Sequence, residues 1–240
     1  MKRVFLLLAM SVLASSLSFG QKKYEMVVEK TDGTSSVFNT EEVTRTYFRE
    51  RKVDETPVDV PAEAIDLGLP SGTKWASYNV GASKPEEYGG YYAWGETEEK
   101  DVYKLSTYKY YQNGSWVSLD SDISGTEYDV AHVKWGGNWV MPTVGDIKEL
   151  LDNCRSEWTT LNGVNGRRFT GSNGGTIFMP AAGYRWYGDL VNAGSYGHYR
   201  SSTSGGSYNV YELRFDSGGA DWHYGDYRFY GHGVRPVVRN

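Results

Sequence analysis

The chain has 240 residues with a formal net charge of -5; 23% are charged, 15% are aromatic, and 29 are glycine. Twenty tyrosines and eight tryptophans beside that much glycine suit strands and irregular loops, not the long Ala/Leu/Glu/Lys-rich stretches of helical bundles or doubly wound sheets. Net acidity argues against a general nucleic-acid binder, and a single cysteine, Cys154, excludes a disulfide scaffold.

Residues 1–20 read as a secretory leader. Lys2 and Arg3 precede an apolar run, Val4 to Leu13, too short to span a bilayer, and Ser18-Phe19-Gly20 puts small residues at the cleavage positions. The mature protein is thus expected to be exported, secreted or held at the cell surface, with no transmembrane segment. Residues 21–50 form a small β unit: Met26, Val28 and Val37 alternate around Thr31-Asp32-Gly33-Thr34, where Asp-Gly signals a hairpin turn. Glu41 to Phe48 reads as a third strand or a helical turn, and residues 51–61, charged and carrying Pro57 and Pro61, as a linker.

Residues 62–240 read as one loop-rich α+β domain. Thr143 to Cys154 is its clearest helix, with Thr143 as N-cap, Asp146 three residues on, and Ile147, Leu150 and Leu151 on one face. Lys84 to Tyr88 reads as a shorter helix. Strands are expected at Arg167–Thr170, Thr176–Met179, Tyr208–Phe215 and Gly233–Val238, and turns at Asn162-Gly163 and Asn165-Gly166.

Five ordered stretches, AIDLGLPSGTKWASYNVGA (64–82), YGGYYAWGE (88–96), AHVKWGGNWVMPT (131–143), IFMPAAGYR (177–185) and GHGVRPV (231–237), resemble the Fibrobacter succinogenes major paralogous domain family. The resemblance implies a C-type lectin-like fold: a twisted antiparallel sheet, two helices, long loops, and termini meeting in adjacent strands. Trp75, Trp94, Trp135 and Trp139 lie in these motifs beside glycines and read as core, not as ligand platforms. The chain departs from the family at Arg200, where Trp is usual, and at Tyr78 and Val238, where Cys is frequent, so the disulfide between those strands is absent.

Catalytic and metal signatures are weak. The calcium tripeptides of C-type lectins do not occur. Asp120-Ser-Asp122-Ile-Ser124-Gly125 starts like a calcium loop, but Ala131 stands where the bidentate Glu belongs, so a solvated acidic loop is the better reading. Cys154 alone cannot supply the paired-cysteine chemistry of formylglycine-generating enzymes, and Glu96 and Asp129 are an acid/base pair only by composition. His132, His198, His223 and His232 have no ligand spacing within one element. The reading is therefore a non-enzyme with no catalytic residue, metal or cofactor.

The C-terminal third has the composition of a recognition surface. Beyond Lys148 every basic side chain apart from histidine is arginine, interleaved with Tyr, Trp, Gly, Ser and Asn. Strand parity turns Leu213 and Phe215 inward and Tyr208, Val210, Glu212 and Arg214 outward. With Arg200 and the loop residues Asp221, Trp222, His223, Tyr224, Asp226, Tyr227, Arg228 and His232, these outward positions form the expected ligand surface. Its partner is expected to be a glycan or a surface protein. Two alternatives stay open: an adhesin whose C-terminal surface is diversified by a retroelement, and a structural subunit of a surface assembly.

Overall fold

The structure, a computed structural model, describes residues 25–29, 35–39 and 62–239, apart from the side chains of residues 25–29, 35, 36, 38, 39, 223 and 224. The chain divides into two compact units, 1–54 and 55–240. The leader expected at 1–20, the element expected at Glu41–Phe48 and the linker 51–61 lie outside the described residues. In the first unit, β1 (Glu25–Glu29) pairs antiparallel with β2 (Ser35–Asn39). Met26 stands opposite Phe38 and Val27 opposite Val37. Val37 is exposed.

The larger unit is α+β, built mostly of antiparallel sheets with two helices. Its strands are β3 (Ala64–Asp66), β4 (Lys74–Ala76), β5 (Tyr111–Gln112), β6 (Ser115–Trp116), β7 (Trp139–Val140), β8 (Arg155–Leu161), β9 (Val164–Thr170), β10 (Thr176–Pro180), β11 (Tyr184–Trp186), β12 (Asp189–Val191), β13 (Gly197–Ser204), β14 (Asn209–Phe215), β15 (Ala220–Tyr227) and β16 (Val237–Val238). The helices are α1 (Val130–Trp135) and α2 (Val144–Asn153). One sheet runs β3-β4-β16-β7, a second β10-β9-β8 and a third β13-β14-β15, with two-stranded pieces β5-β6 and β11-β12. No helix among the described residues is long and apolar enough to cross a membrane.

Helix α2 begins where its sequence signal lies. Thr143 Oγ1 accepts from the Asp146 amide at 3.1 Å, and the Asp146 carboxylate accepts from the Thr143 amide at 2.7 Å, satisfying two otherwise orphaned donors. Ile147 and Leu150 are buried against Trp75, Phe169, Met179, Leu213 and Phe215. Helix α1 was not expected, since six residues are too few to show a period. Its start is set by Asp129, whose buried carboxylate accepts from the amides of Ala131, His132, Gly125 and Met141. The helix expected at Lys84–Tyr88 is a single turn, clasped by Glu87, which accepts from both the amide and the hydroxyl of Ser83.

Asn162-Gly163 is the turn between β8 and β9, with φ of 49° and 83°. Asn165-Gly166, expected as a second turn, lies inside β9, and Gly166 is needed there because a Cβ would sit 2.3 Å from the Met179 carbonyl. The strand expected at Gly233–Val238 shrinks to β16, which fits between β4 and β7, Val237 facing both Trp75 and Val140. Trp75 is buried in the core with α2, and Trp94 and Trp135 are buried in a second core against which Trp139 packs, as expected.

Just before β16, Arg235 has no exposed surface, and its guanidinium donates to Asn79 Oδ1 (2.7 Å) and to the carbonyls of Ala76 (3.0 Å), Ser77 (3.1 Å) and Phe178 (2.9 Å). One side chain thus joins the segment after β4, the strand β10 and the end of the domain. Arg235→Ala should lower stability by about 3 kcal/mol, measured by urea unfolding, because it strands several buried acceptors at once. Arg235→Lys should recover only part of that loss, since an ammonium cannot fork to four oxygens.

Candidate ligand surface and the cluster beneath it

The expected surface residues do not lie together. β14 is the central strand of its sheet and is covered on both faces. Leu213 and Phe215 enter the core with α2, as expected, but Val210 enters a second core with Trp94, Ile123 and Val234, and Glu212 is fully buried. The outward placement of Val210 and Glu212 is therefore corrected. Alternation sorts residues onto faces but does not say which faces are covered.

Arg200, Arg228 and His232 are also buried and cannot touch a glycan or protein on the surface. Arg200 donates to the carbonyls of Tyr227 (3.3 Å) and Tyr230 (2.7 Å). Arg228 donates to Ser204 Oγ (2.7 Å) and the Gly206 carbonyl (2.6 Å), with its guanidinium carbon 4.3 Å from the Trp94 ring centroid. Both serve oxygens at the ends of β13 and β15 and in the segments that follow them.

The remaining candidates fall in three places. Arg214 and Asp221 face each other across β14 and β15 and line an open groove of ≈ 420 Å³ with Asp216. Trp222 is exposed on the α2 side, where Lys148 Nζ sits 4.0 Å from its ring centroid. Tyr208 and Tyr227 are 52% and 42% exposed and belong to a continuous run of rings. From Tyr187 the run passes to Trp186 (5.4 Å between centroids), Tyr230 (6.2 Å), Tyr227 (5.5 Å), Tyr208 (6.5 Å), Trp116 (6.3 Å) and Tyr111 (5.2 Å). Trp186 and Tyr187, which the sequence reading did not single out for the surface, are 44% and 52% exposed. Tyr187 holds φ of 51° in the two-residue turn between β11 and β12, a conformation that suits glycine or asparagine and strains a tyrosine. His223 and Tyr224 lie in β15, with side chains outside the described residues.

Beneath this ridge His198, Glu212, Asp226 and His232 converge, each offering one nitrogen or oxygen within 4.8 Å of the others. They come from β13, β14, β15 and the segment before β16, so no local spacing announces them. A bulge makes the meeting possible. His223 faces Glu212 and Tyr224 faces Tyr211, yet Asp226, not Gly225, faces Val210. Gly225 is the extra residue, its φ of 140° open to glycine alone, and it turns Asp226 onto the face of Glu212. Burial would raise the Glu212 carboxyl, but the imidazoles of His232 and His198 outweigh it and hold the group well below the usual carboxylate range. The Tyr184 ring covers both imidazoles, at 5.0 Å from His198 and 5.9 Å from His232. Two imidazoles and two carboxylates can share protons or hold a cation.

Other candidates from the sequence are structural. Asp129 is consumed as the α1 cap, and Glu96 pairs with Lys100 at 2.6 Å and accepts from the Lys109 amide. Asp122 closes its own turn by accepting from the Ser124 amide at 3.0 Å. Cys154 caps the end of α2 and packs against the core.

Comparison with protein families, with curated proteins and with solved structures finds no match to this chain.

Burial, aided by Glu149, pushes the Cys154 thiol up from 9.0 to about 11. Its alkylation by iodoacetamide at pH 8 should therefore run about a hundredfold slower than that of a free thiol, followed by mass spectrometry.

Proposed function

We propose that the protein is an exported recognition protein, without catalytic activity, that binds glycans along the ridge of rings from Tyr187 to Tyr111. The continuity of that ridge carries the reading. Four of its rings, Trp186, Tyr187, Tyr208 and Tyr227, are exposed, and flat aromatic faces suit the apolar C–H faces of sugars. The strained turn at Tyr187 supports it. A residue kept in an unfavourable backbone conformation with its ring in solvent contributes little to folding, which points to selection for contact.

On this reading the domain is C-type lectin-like and related to the Fibrobacter succinogenes major paralogous domains. Its support is the ordered motifs and the position of β16, which brings the end of the domain against β4 and so near β3 at the start. Sugar contact is made by ring faces and neighbouring polar groups. Arg200 and Arg228 act from below by holding the carbonyls of the segments that carry Tyr208, Tyr227 and Tyr230.

A glycan array with the purified protein tests the reading, and absence of selective retention would overturn it. Tyr227→Ala and Trp186→Ala should each weaken binding to a retained glycan by about tenfold or more, with the unfolding midpoint little changed. Trp222→Ala, on the α2 side, should leave binding intact. Tyr187→Asn should be at least as stable as the parent, since asparagine tolerates that φ, while binding weakens.

A further inference from the structure

We infer that His198, Glu212, Asp226 and His232 form a binding site for a divalent transition ion of the zinc class. The ion would tie three strands to the segment that carries Phe229 and Tyr230.

Spacing is the first argument. His198 Nδ1 lies 3.2 Å from Glu212 Oε2 and 3.7 Å from Asp226 Oδ2; His232 Nδ1 lies 3.0 Å from Glu212 Oε2, and His232 Nε2 3.2 Å from Asp226 Oδ2. Four ligands around zinc at bond lengths of about 2.0–2.2 Å stand about 3.3–3.5 Å from one another; an imidazole gives one ion a single nitrogen, and one ligand atom from each of the four residues lies within 4.8 Å of the others, close enough to draw in around one ion.

Orientation is the second. Nδ1 of His198 is hydrogen-bonded to the Glu212 carboxylate at 3.2 Å, whereas Nε2 of His198 and both nitrogens of His232 are buried and make no hydrogen bond, although carboxylate oxygens lie within 3.2 Å of each His232 nitrogen. A buried imidazolium aligned with its carboxylates would bond to them. The His232 nitrogens, beside oxygens but not aimed at them, suit a coordination shell, in which one of them turns its lone pair to the ion and not to the next ligand.

Charge and donor type complete the case. The two carboxylates bring two negative charges into one cluster, and the buried guanidinium of Arg200 is spent on the carbonyls of Tyr227 and Tyr230. That charge calls for protons or a cation, and the unaligned His232 nitrogens favour the cation. Imidazole nitrogen mixed with carboxylate oxygen selects zinc-class ions over calcium or magnesium, which prefer oxygen alone. The side chains of Glu212 and His232 have no exposed surface and that of His198 has 6%, whereas Asp226 has 25% and marks the way in. Tyr184, Tyr196 and Tyr230 pack around the imidazoles and keep water from the inner side.

The test needs no glycan, so it stands apart from the proposed function. Purified protein, analysed for bound metal, then stripped with a chelator and titrated with Zn²⁺, should hold one equivalent and unfold at a higher temperature when loaded; Ca²⁺ should do neither. Co²⁺ should give the visible ligand-field bands of a four-coordinate site. His232→Gln and Glu212→Gln should each weaken Zn²⁺ uptake by more than about a hundredfold, exceeding the cost of losing an outer-shell partner. The double change Asp120→Asn with Asp122→Asn should leave uptake unaltered. Should the cluster variants fail to fold, the Co²⁺ spectrum of the unaltered protein decides. Uptake well below one equivalent, no four-coordinate spectrum, or uptake indifferent to His232→Gln would overturn the inference.

Discussion

The constraint on which the larger unit depends is the need to satisfy buried oxygens of short strands and the loops between them. Buried guanidinium groups meet it. Arg235 takes three carbonyls and an amide oxygen, Arg200 two carbonyls, and Arg228 a carbonyl and a hydroxyl; Arg167 adds Ser156 Oγ and the Asp216 carbonyl. Among the described residues none of these four has a carboxylate within ion-pair distance. A planar fork with five fixed donors can serve oxygens from several segments at once, which an ammonium cannot. The arginine-rich C-terminal third is in large part this internal framework.

That framework explains why composition misled about individual residues. Arg and Tyr interleaved with Gly and Ser describe a recognition surface and also a core that lacks ladders. Arg200 and Arg228 fell on the second side, as did Tyr91, Tyr103 and Tyr108, whose hydroxyls donate to the carbonyls of Ala182, Tyr91 and Trp94. Only exposure separates the two uses, and exposure follows from tertiary packing. The same limit hid Trp186 and Tyr187, which look no different in sequence from their buried neighbours.

Where the governing contacts were local, the sequence was readable. Thr143 and Asp146 sit three apart and cap α2 as the pattern dictates, and Asn162-Gly163 turns where expected. Asp129 also caps by a local contact, but α1 is too short to draw attention to it. His198, Glu212, Asp226 and His232 are the opposite case. Their meeting needs the pairing of three strands and the bulge at Gly225, and simple parity would have sent Asp226 to the other face. Period-two reasoning fails at a bulge because the bulge exists to break the period.

The ridge and the cluster are linked mechanically. Tyr230 packs on Trp186 and Tyr227 on one side and lies 6.4 Å from His232 on the other, while its carbonyl is held by Arg200. Tyr227 follows Asp226 directly, so whatever holds Asp226 also sets where that ring stands. In strands and loops with few ladder bonds, a flat array of rings keeps its spacing only if its backbone is anchored from beneath. Arg200, Arg228 and the His/carboxylate cluster are those anchors, which is why charged groups lie under an aromatic surface: the rings supply contact area, and the buried charges supply position.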